Sequence, residues 1–487
     1  MHLLRNAWRQ LTSMRTALVL LFLLAVAAIP GSLLPQRSLG IEKVQEYLDE
    51  HPSAGPWFDR LSLFDVYSSP WFAAIYLLLF TSLVGCLVPR LRTHFSALFR
   101  VPPKAPARLD RLVAHAEIDH DVDPEKVRDL LKRRRFRTVL AEDGTISAEK
   151  GYVKETGNLL FHFALLGLLV GVALGGWYGW HGNRIVVVGP ERGFCSSLQQ
   201  FDEYALGARV DGGDLPKFCV TLEEFRASFL DSGQPVSFAA DMTFEQGAAS
   251  GRRSVSVNNP LRLRRANLYL MGHGYAPIMR YTDRSGRTQT SIAPFLARDE
   301  FLTSDGVALF PDANAGSSPK AQVGFVGVYL PTVPADPSAE RSAHPDERDP
   351  RLMLVAYQGD LGLDAGLPRS VYSLDASRVA AGQLVKVGDA QMLRPGESWR
   401  LPDGSLVEFL GTRRWAAVSV RYDPGEPVVL SSAILLLGGL MLSLTGRRRR
   451  IFFRFGPGSV AVGGLPRSDY TGFATEFDQI IEEVRRI

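Results

Sequence analysis

The chain has 487 residues, 46% of them hydrophobic and 22% charged, a mean hydropathy of +0.01 and a formal net charge of +4. So small a charge does not fit a nucleic-acid binder, and three cysteines without a Cys-x-x-Cys, Cys-x-x-Cys-His or paired Cys/His zinc spacing exclude a disulfide-dense scaffold, a c-type cytochrome and a thioredoxin-like reductase. The length allows about three domains, and the near-zero hydropathy, which alone reads as a soluble protein, averages two unlike phases.

The apolar phase consists of four uncharged stretches, 16–34, 70–88, 158–177 and 427–444, each long enough to cross a bilayer as a helix. Pro30 is expected to kink the first span or mark its outer end. Arg5, Arg9 and Arg15 before that stretch and Ala25, Ala27 and Ala28 within it also suit a cleaved signal sequence, but the apolar run exceeds a usual signal core. Basic residues set the orientation. Arg5, Arg9 and Arg15, then Arg90, Arg92, Arg100 and Lys104, then Arg447, Arg448, Arg449 and Arg450 fall on one side if both termini are cytoplasmic. The expected order is a pair of spans within 1–89, a basic cytoplasmic loop over 90–156, a third span over 157–177, an outer domain over 178–426, a fourth span over 427–445 and a cytoplasmic tail over 446–487. The run from Lys132 to Arg137 lies among Asp119, Asp121, Asp123, Glu125 and Asp129 and reads as a solvated or lipid-facing surface, not a nucleic-acid patch.

The outer segment is patterned as β structure. Short runs rich in Val, Phe and Tyr at 184–188, 218–222, 236–244, 254–257, 322–330, 352–357 and 416–422 alternate with Gly, Pro and Asp turns, which predicts a mainly-β domain, a sandwich or an open barrel. Residues 335–349 read as an exposed loop, and the tail as a loop followed by an amphipathic helix over 473–487. Cys195 and Cys219 both fall in the outer domain, where a structural disulfide is the default; Cys86 in the second span is a small apolar residue.

His162 is the single ionisable residue within the four uncharged stretches, and such residues face a bundle interior or a cofactor. Asn158 shares its helical face one turn earlier, and Phe161 and Phe163 flank it. Two readings stand on the residues alone: an axial ligand of haem iron between flat apolar walls, or an imidazole hydrogen-bonded between helices, for example to Thr81 or Ser82. One histidine does not complete a six-coordinate haem, and with no second histidine in a predicted span the other ligand would come from another subunit. His273, in Gly272-His273-Gly274-Tyr275-Ala276-Pro277, reads as a turn-capping or core histidine before a ligand contact, and His181 as an interface residue beside Trp177, Tyr178 and Trp180.

Several strings, in order and in topological place, resemble the ResB family, also called CcsB, of system II cytochrome c maturation. They are Ser32-Leu33-Leu34-Pro35-Gln36; Leu63-Phe64-Asp65-Val66-Tyr67-Ser68-Ser69-Pro70-Trp71-Phe72; Glu149-Lys150-Gly151-Tyr152 leading into Gly157-Asn158-Leu159-Leu160-Phe161-His162; the His273 string; and Asp423-Pro424-Gly425. The resemblance covers nearly the whole chain. It implies a bacterial plasma-membrane subunit, non-catalytic or partly catalytic, of a haem-attaching complex that delivers haem across the membrane for attachment to Cys-x-x-Cys-His segments. The implied partners are a ResC/CcsA-type membrane protein, apocytochrome c and a thiol-reducing protein, with haem b as the shared cofactor. The family's transmembrane histidine maps onto His162, and Lys150 and Lys154 become candidates to neutralise the haem propionates. The tryptophan-rich segment of the partner has no counterpart; Trp177-Tyr178-Gly179-Trp180 is a superficial echo. The competing readings are a membrane scaffold or apocytochrome chaperone that never touches haem, and a solute-sensing membrane protein.

Overall fold

The computed structural model describes residues 2–37, 41–314, 321–336, 341–363, 374–467 and 471–487. The chain forms two units, Met1–Gly176 with Pro424–Ile487, and Trp177–Asp423.

In the first unit, α1 (His2–Leu11) leads to α2 (Met14–Leu33), capped by the Ser13 hydroxyl accepting the Thr16 amide. After α3 (Ile41–Glu50) and α4 (Gly55–Arg60), α5 (Pro70–Phe99) begins with Ser69 as cap and proline in its first turn. Then follow β1 (Ala114–Ile118), α6 (Pro124–Arg133), β2 (Arg137–Leu140), β3 (Thr145–Lys150) and α7 (Val153–Tyr178). α2, α5, α7 and the later α9 are the four helices long and apolar enough to cross a membrane. Their outward side chains, such as Phe22, Leu77, Leu437 and Met441, are exposed on the bundle, as an apolar solvent permits. Two of the strings singled out in the sequence meet at the end of α2. Gln36, 3% exposed, donates to the Leu63 carbonyl at 3.0 Å and accepts the Val66 amide at 3.1 Å, while Arg37 bonds Asp59 at 2.7 Å and also Asp65.

The second unit contains β4 (Trp180–Val187), β5 (Phe194–Cys195), β6 (Glu203–Leu206), β7 (Cys219–Phe229), β8 (Pro235–Gln246), β9 (Ala249–Ser256), β10 (Leu261–Leu263), β11 (Ala266–Thr282) and β12 (Thr288–Ile292). It continues through β13 (Leu296–Ala297), β14 (Ser304–Phe310), β15 (Gln322–Leu330), β16 (Arg351–Gly359), α8 (Ala376–Ala380), β17 (Leu384–Leu393), β18 (Ser398–Arg400) and β19 (Leu406–Tyr422). These strands make three antiparallel sheets, β10-β11-β19-β4-β6 with β12 and β18 attached, β13-β14-β15-β16-β17, and β5-β7-β8-β9, and none closes into a barrel. The two long strands β11 and β19 pass through both cores. Leu268, Val418 and Val420 pack with Leu222 and Met242, whereas Tyr275, Met279, Val407 and Phe409 pack with Phe325 and Leu354. A register shift between Leu270 and Gly272 bends β11 between the two. Cys195 and Cys219 are register partners on β5 and β7 and form a disulfide.

Several expectations change here. The 335–349 segment is not exposed throughout: Arg341, Ala343, Glu347 and Arg348 are exposed, but Ser342 and His344 are buried, and the Ser342 amide donates to Thr303 Oγ1 at 2.8 Å. Residues 337–340 lie outside the described residues. The string around His273 is not a turn but the middle of β11; Gly274 is required there because a Cβ would sit 2.5 Å from the Trp415 ring. The basic loop and the tail fold together.

After α9 (Glu426–Thr445), β20 (Arg449–Gly456), β21 (Ser459–Pro466) and α10 (Phe473–Arg485) complete a sheet of order β1-β21-β20-β3-β2. Amphipathic α6 and α10 bury Val127, Leu131, Phe477 and Ile480 against Ile146, Ile451 and Phe453. Helices α7 and α9 touch backbone to backbone: a Cβ on Gly157 would lie 2.5 Å from Ser443 N, and one on Gly439 2.6 Å from Phe161 N.

Candidate functional site

α7 carries the site. Its stretch from Gly157 to Tyr178 has no charged residue, so the backbone is satisfied within the helix and any polar side chain must find its own partner. His162 does so at one nitrogen. Its Nδ1 lies 2.7 Å from the Asn158 carbonyl oxygen, one turn earlier. A carbonyl only accepts, so Nδ1 carries the proton and Nε2 keeps its lone pair. Nε2 has no hydrogen-bond partner among the described residues, and the ring is only partly buried. Thr81 and Ser82, the partners considered from sequence, bond elsewhere: Thr81 to the Leu77 carbonyl and Ser82 to the Leu11 carbonyl.

Phe161 meets the imidazole edge-on with centroids 5.3 Å apart, and Phe163 and Asn158 are exposed beside it. These four residues are therefore brought together. Lys150 is not with them. It lies at the end of β3, donates to the Arg134 carbonyl at 2.7 Å and stands over Phe136, and burial with Arg449 nearby lowers its pKa. Lys154 is in the first turn of α7, eight residues or about 12 Å of helix before His162. A single imidazole with a free lone pair, flanked by apolar rings, fits one axial position of a haem. No group of three or more His, Cys, Asp and Glu able to hold a bare metal ion occurs among the described residues.

Two tethers hold α7 to α5, one on each side of His162 along the helix. The Tyr76 hydroxyl of α5 donates to the Leu169 carbonyl. At the other end His94 of α5, 7% exposed, places Nε2 3.1 Å from Thr156 Oγ1 and Nδ1 3.6 Å from Glu155. His94 lies beyond the expected span 70–88 but on the same helix, because α5 runs on past that span. At 30 residues the helix is about 45 Å long and continues through Pro89 and Arg90. The buried spacing of Leu83, Leu87 and His94 was the available signal.

Below the tether is an ion cluster that sequence reasoning missed. Glu149, 1% exposed, accepts from Arg448 at 2.8 Å, Arg450 at 3.0 Å and the Tyr152 hydroxyl at 2.6 Å, and Arg448 also pairs with Glu155. Burial alone would raise the Glu149 carboxyl, but the Tyr152 hydroxyl and the two arginines hold it below its ordinary value. Gly151 is obligatory beside it, with φ at +104° and a virtual Cβ 2.0 Å from the Arg447 carbonyl.

In the second unit His273 lies among Phe225, Phe238 and Phe229, with centroids 5.1, 4.6 and 6.1 Å away. Its buried Nδ1 has no partner among the described residues, and burial together with the Arg414 charge lowers its pKa to about 4. His344 is by contrast satisfied: Nδ1 accepts the Asp346 amide at 3.0 Å and Nε2 faces the Leu230 carbonyl at 3.0 Å. His181 sits on β4 opposite Arg421 and Ala205.

A model of the ResB-like family matches residues 14–478. The chain is similar to the cytochrome c biogenesis protein CcsB of Synechococcus sp. (strain WH7803), at 24% identity with 99% of both chains covered. It is also similar to the CcsB of Paulinella chromatophora, at 22% identity over 99% of this chain and 100% of that one, and of Prochlorococcus marinus (strain NATL1A), at 23% over 97% and 96%.

Proposed function

The chain belongs to the ResB-like family, and from that premise we propose that it is a subunit of the membrane complex that matures c-type cytochromes. In this reading it takes part in haem delivery across the membrane and in covalent attachment to the Cys-x-x-Cys-His segment of an apocytochrome, together with a ResC/CcsA-type membrane protein. The observation that carries the reading is His162: an imidazole at membrane depth whose Nδ1 is fixed by the Asn158 carbonyl and whose Nε2 lone pair is unused. An unsatisfied nitrogen facing lipid is costly, so a partner group there is the expected state. Haem, when bound, would supply an iron to accept that lone pair and vinyl groups to which the apocytochrome thiols add. This chain would hold Nε2 in place, wall the imidazole with Phe161 and Phe163, and leave any further iron ligand to the partner subunit. Lys154 is the cation left for a propionate on this helix, since Lys150 is engaged elsewhere.

The orientation proposed has both termini on the cytoplasmic side of a bacterial plasma membrane and the β unit outside. Arg5, Arg9, Arg15, Arg90, Arg92 and Arg447 to Arg450 support it, as does the Cys195–Cys219 bridge, which suits an oxidising compartment. The test is the visible spectrum of the detergent-purified protein with its partner. Replacing His162 with Ala should remove most of the Soret absorbance that co-purifies and lower the yield of mature cytochrome c. Full haem occupancy with normal maturation in that variant refutes the ligand role and leaves the scaffold reading.

A further inference from the structure

One end of the β10-β11-β19-β4-β6 sheet gathers cations that have no counter-ions among the described residues. The register aligns Arg262, Asn267, Arg421, His181 and Ala205 across those five strands. Just beyond, the strands stop: β10 turns into β11 through Arg264 and Arg265, β19 ends at Tyr422, and β4 begins at Trp180. The chain also enters here from α7, whose last residue is Tyr178, and leaves for α9, which starts at Glu426. Covalent continuity thus keeps this end within a few residues of two membrane-spanning helices.

Three arginines of this end lie over aromatic rings. Arg209 is 5.0 Å from the Trp177 ring and donates to the Tyr178 hydroxyl at 3.1 Å. Arg265 is 5.4 Å from the Tyr422 ring and Arg421 4.7 Å from that of Tyr269. Arg209, Arg264, Arg265 and Arg421 are exposed, and among the described residues none of the four has a carboxylate partner. Arg184, Arg226, Arg280, Arg351 and Arg413 of the same unit all do. The turn is built to present its guanidinium. Arg265 has φ at +58°, a left-handed conformation that favours Gly or Asn. The Gln246 side chain clamps the turn by accepting the Arg264 amide at 2.7 Å and donating to the Arg264 carbonyl at 3.0 Å.

We infer that this end of the sheet is a binding surface for the phosphodiester of anionic glycerophospholipids. Trp and Tyr at the ends of spans settle at the headgroup level. A guanidinium stacked on such a ring is weakly hydrated and keeps donors in the fork geometry that phosphate oxygens accept. A zwitterionic headgroup brings its own ammonium to the same place, so the cations favour lipids of net negative charge. The inference goes beyond the haem reading and does not depend on it.

The test uses the full-length protein in neutral detergent, titrated with dibrominated phosphatidylglycerol or dibrominated phosphatidylcholine, with quenching of Trp177 read as the difference from a Trp177→Phe variant. The unaltered protein should be quenched at lower phosphatidylglycerol than phosphatidylcholine. Removing one cation, by Arg209→Gln or Arg265→Gly, should weaken the phosphatidylglycerol midpoint about five-fold and leave phosphatidylcholine unchanged. Glycine adopts the left-handed turn without strain, so Arg265→Gly separates loss of the cation from loss of fold and decides alone if Arg209→Gln does not fold. Equal midpoints for the two lipids in the unaltered protein, or an undiminished preference in Arg265→Gly, overturn the inference. Relief of quenching by inorganic phosphate or glycerophosphoglycerol at similar concentration also overturns it, by making the site one for a soluble anion.

Discussion

His273 makes the stability of the β unit depend on pH in a way that can be computed. Its ring sits among Phe225, Phe229 and Phe238 with Nδ1 buried and unbonded, and burial and Arg414 depress its pKa to about 4 from an ordinary 6.5. Above pH 6.5 the imidazole is neutral in the folded and unfolded chain alike, and it imposes no pH dependence. As the pH falls from there towards 4 the unfolded chain takes up the proton and the folded chain does not, so stability is lost with acid. Integrating that uptake from pH 7.5 to pH 5.0 gives a loss of about 2 kcal/mol from this one group. The perturbation is His273→Phe, which keeps an aromatic ring in the phenylalanine cage and removes the titration. The assay is denaturant unfolding of the full-length protein in detergent at the two pH values, comparing how much each protein loses. Whatever the offset at neutral pH, the variant should lose about 2 kcal/mol less than the unaltered protein on acidification. Equal losses would refute the reasoning and mean that His273 takes up its proton while folded.

Two further outcomes follow from the same physics. Glu149→Gln leaves half-buried Arg450 without its anion and Arg448 with Glu155 alone, and should cost about 3 kcal/mol, read as faster proteolysis within 90–156 and 446–487. Because the folded Glu149 carboxyl is held below its ordinary 4.5, the stability it contributes is present above that value and lost as the pH falls through the lower folded value, and the Gln variant should lack this acid limb. Replacing Cys195 and Cys219 together by Ser opens a bridge with a sequence separation of 24. It should cost about 3 kcal/mol, and reductant should lower the thermal midpoint of the unaltered protein but not of the double variant.

What was legible in the sequence follows the range of the forces involved. A membrane span announces itself locally, so all four helices were found; α5 runs beyond the expected span to Phe99 because neither Pro89 nor the following arginines must end a helix. The helix over Phe473–Arg485 was visible for the same local reason. The sheet it packs on was not. Arg449 pairs with Lys150 and Ile451 with Ala148 across some three hundred residues, and the arginine run that opens β20 reads as a membrane-flanking charge cluster. Only the fold supplies Glu149, Glu155 and Glu476 as its counter-ions. In the β unit the Val- and Phe-rich runs were found, but β11 was hidden because Gly272 and Gly274 signal turns when their neighbours are unknown; the indole of Trp415 is the reason one of them is glycine.

His162 was legible by elimination, as the ionisable residue in an uncharged run, but its state was not. The structure supplies the reason to treat it differently from His94. Both imidazoles belong to long apolar helices, yet His94 is buried and bonds Thr156 across the bundle, with Nδ1 3.6 Å from Glu155 and not hydrogen-bonded, while His162 is half-buried, uses one nitrogen on its own helix and offers the other to nothing among the described residues. The tethers at Leu169 and Thr156 hold α5 to α7 on either side of that nitrogen without consuming it. A bundle that only needed cohesion would be served by a third such tether at residue 162. A fixed tautomer with an unused lone pair is what the proposed haem-ligand role requires.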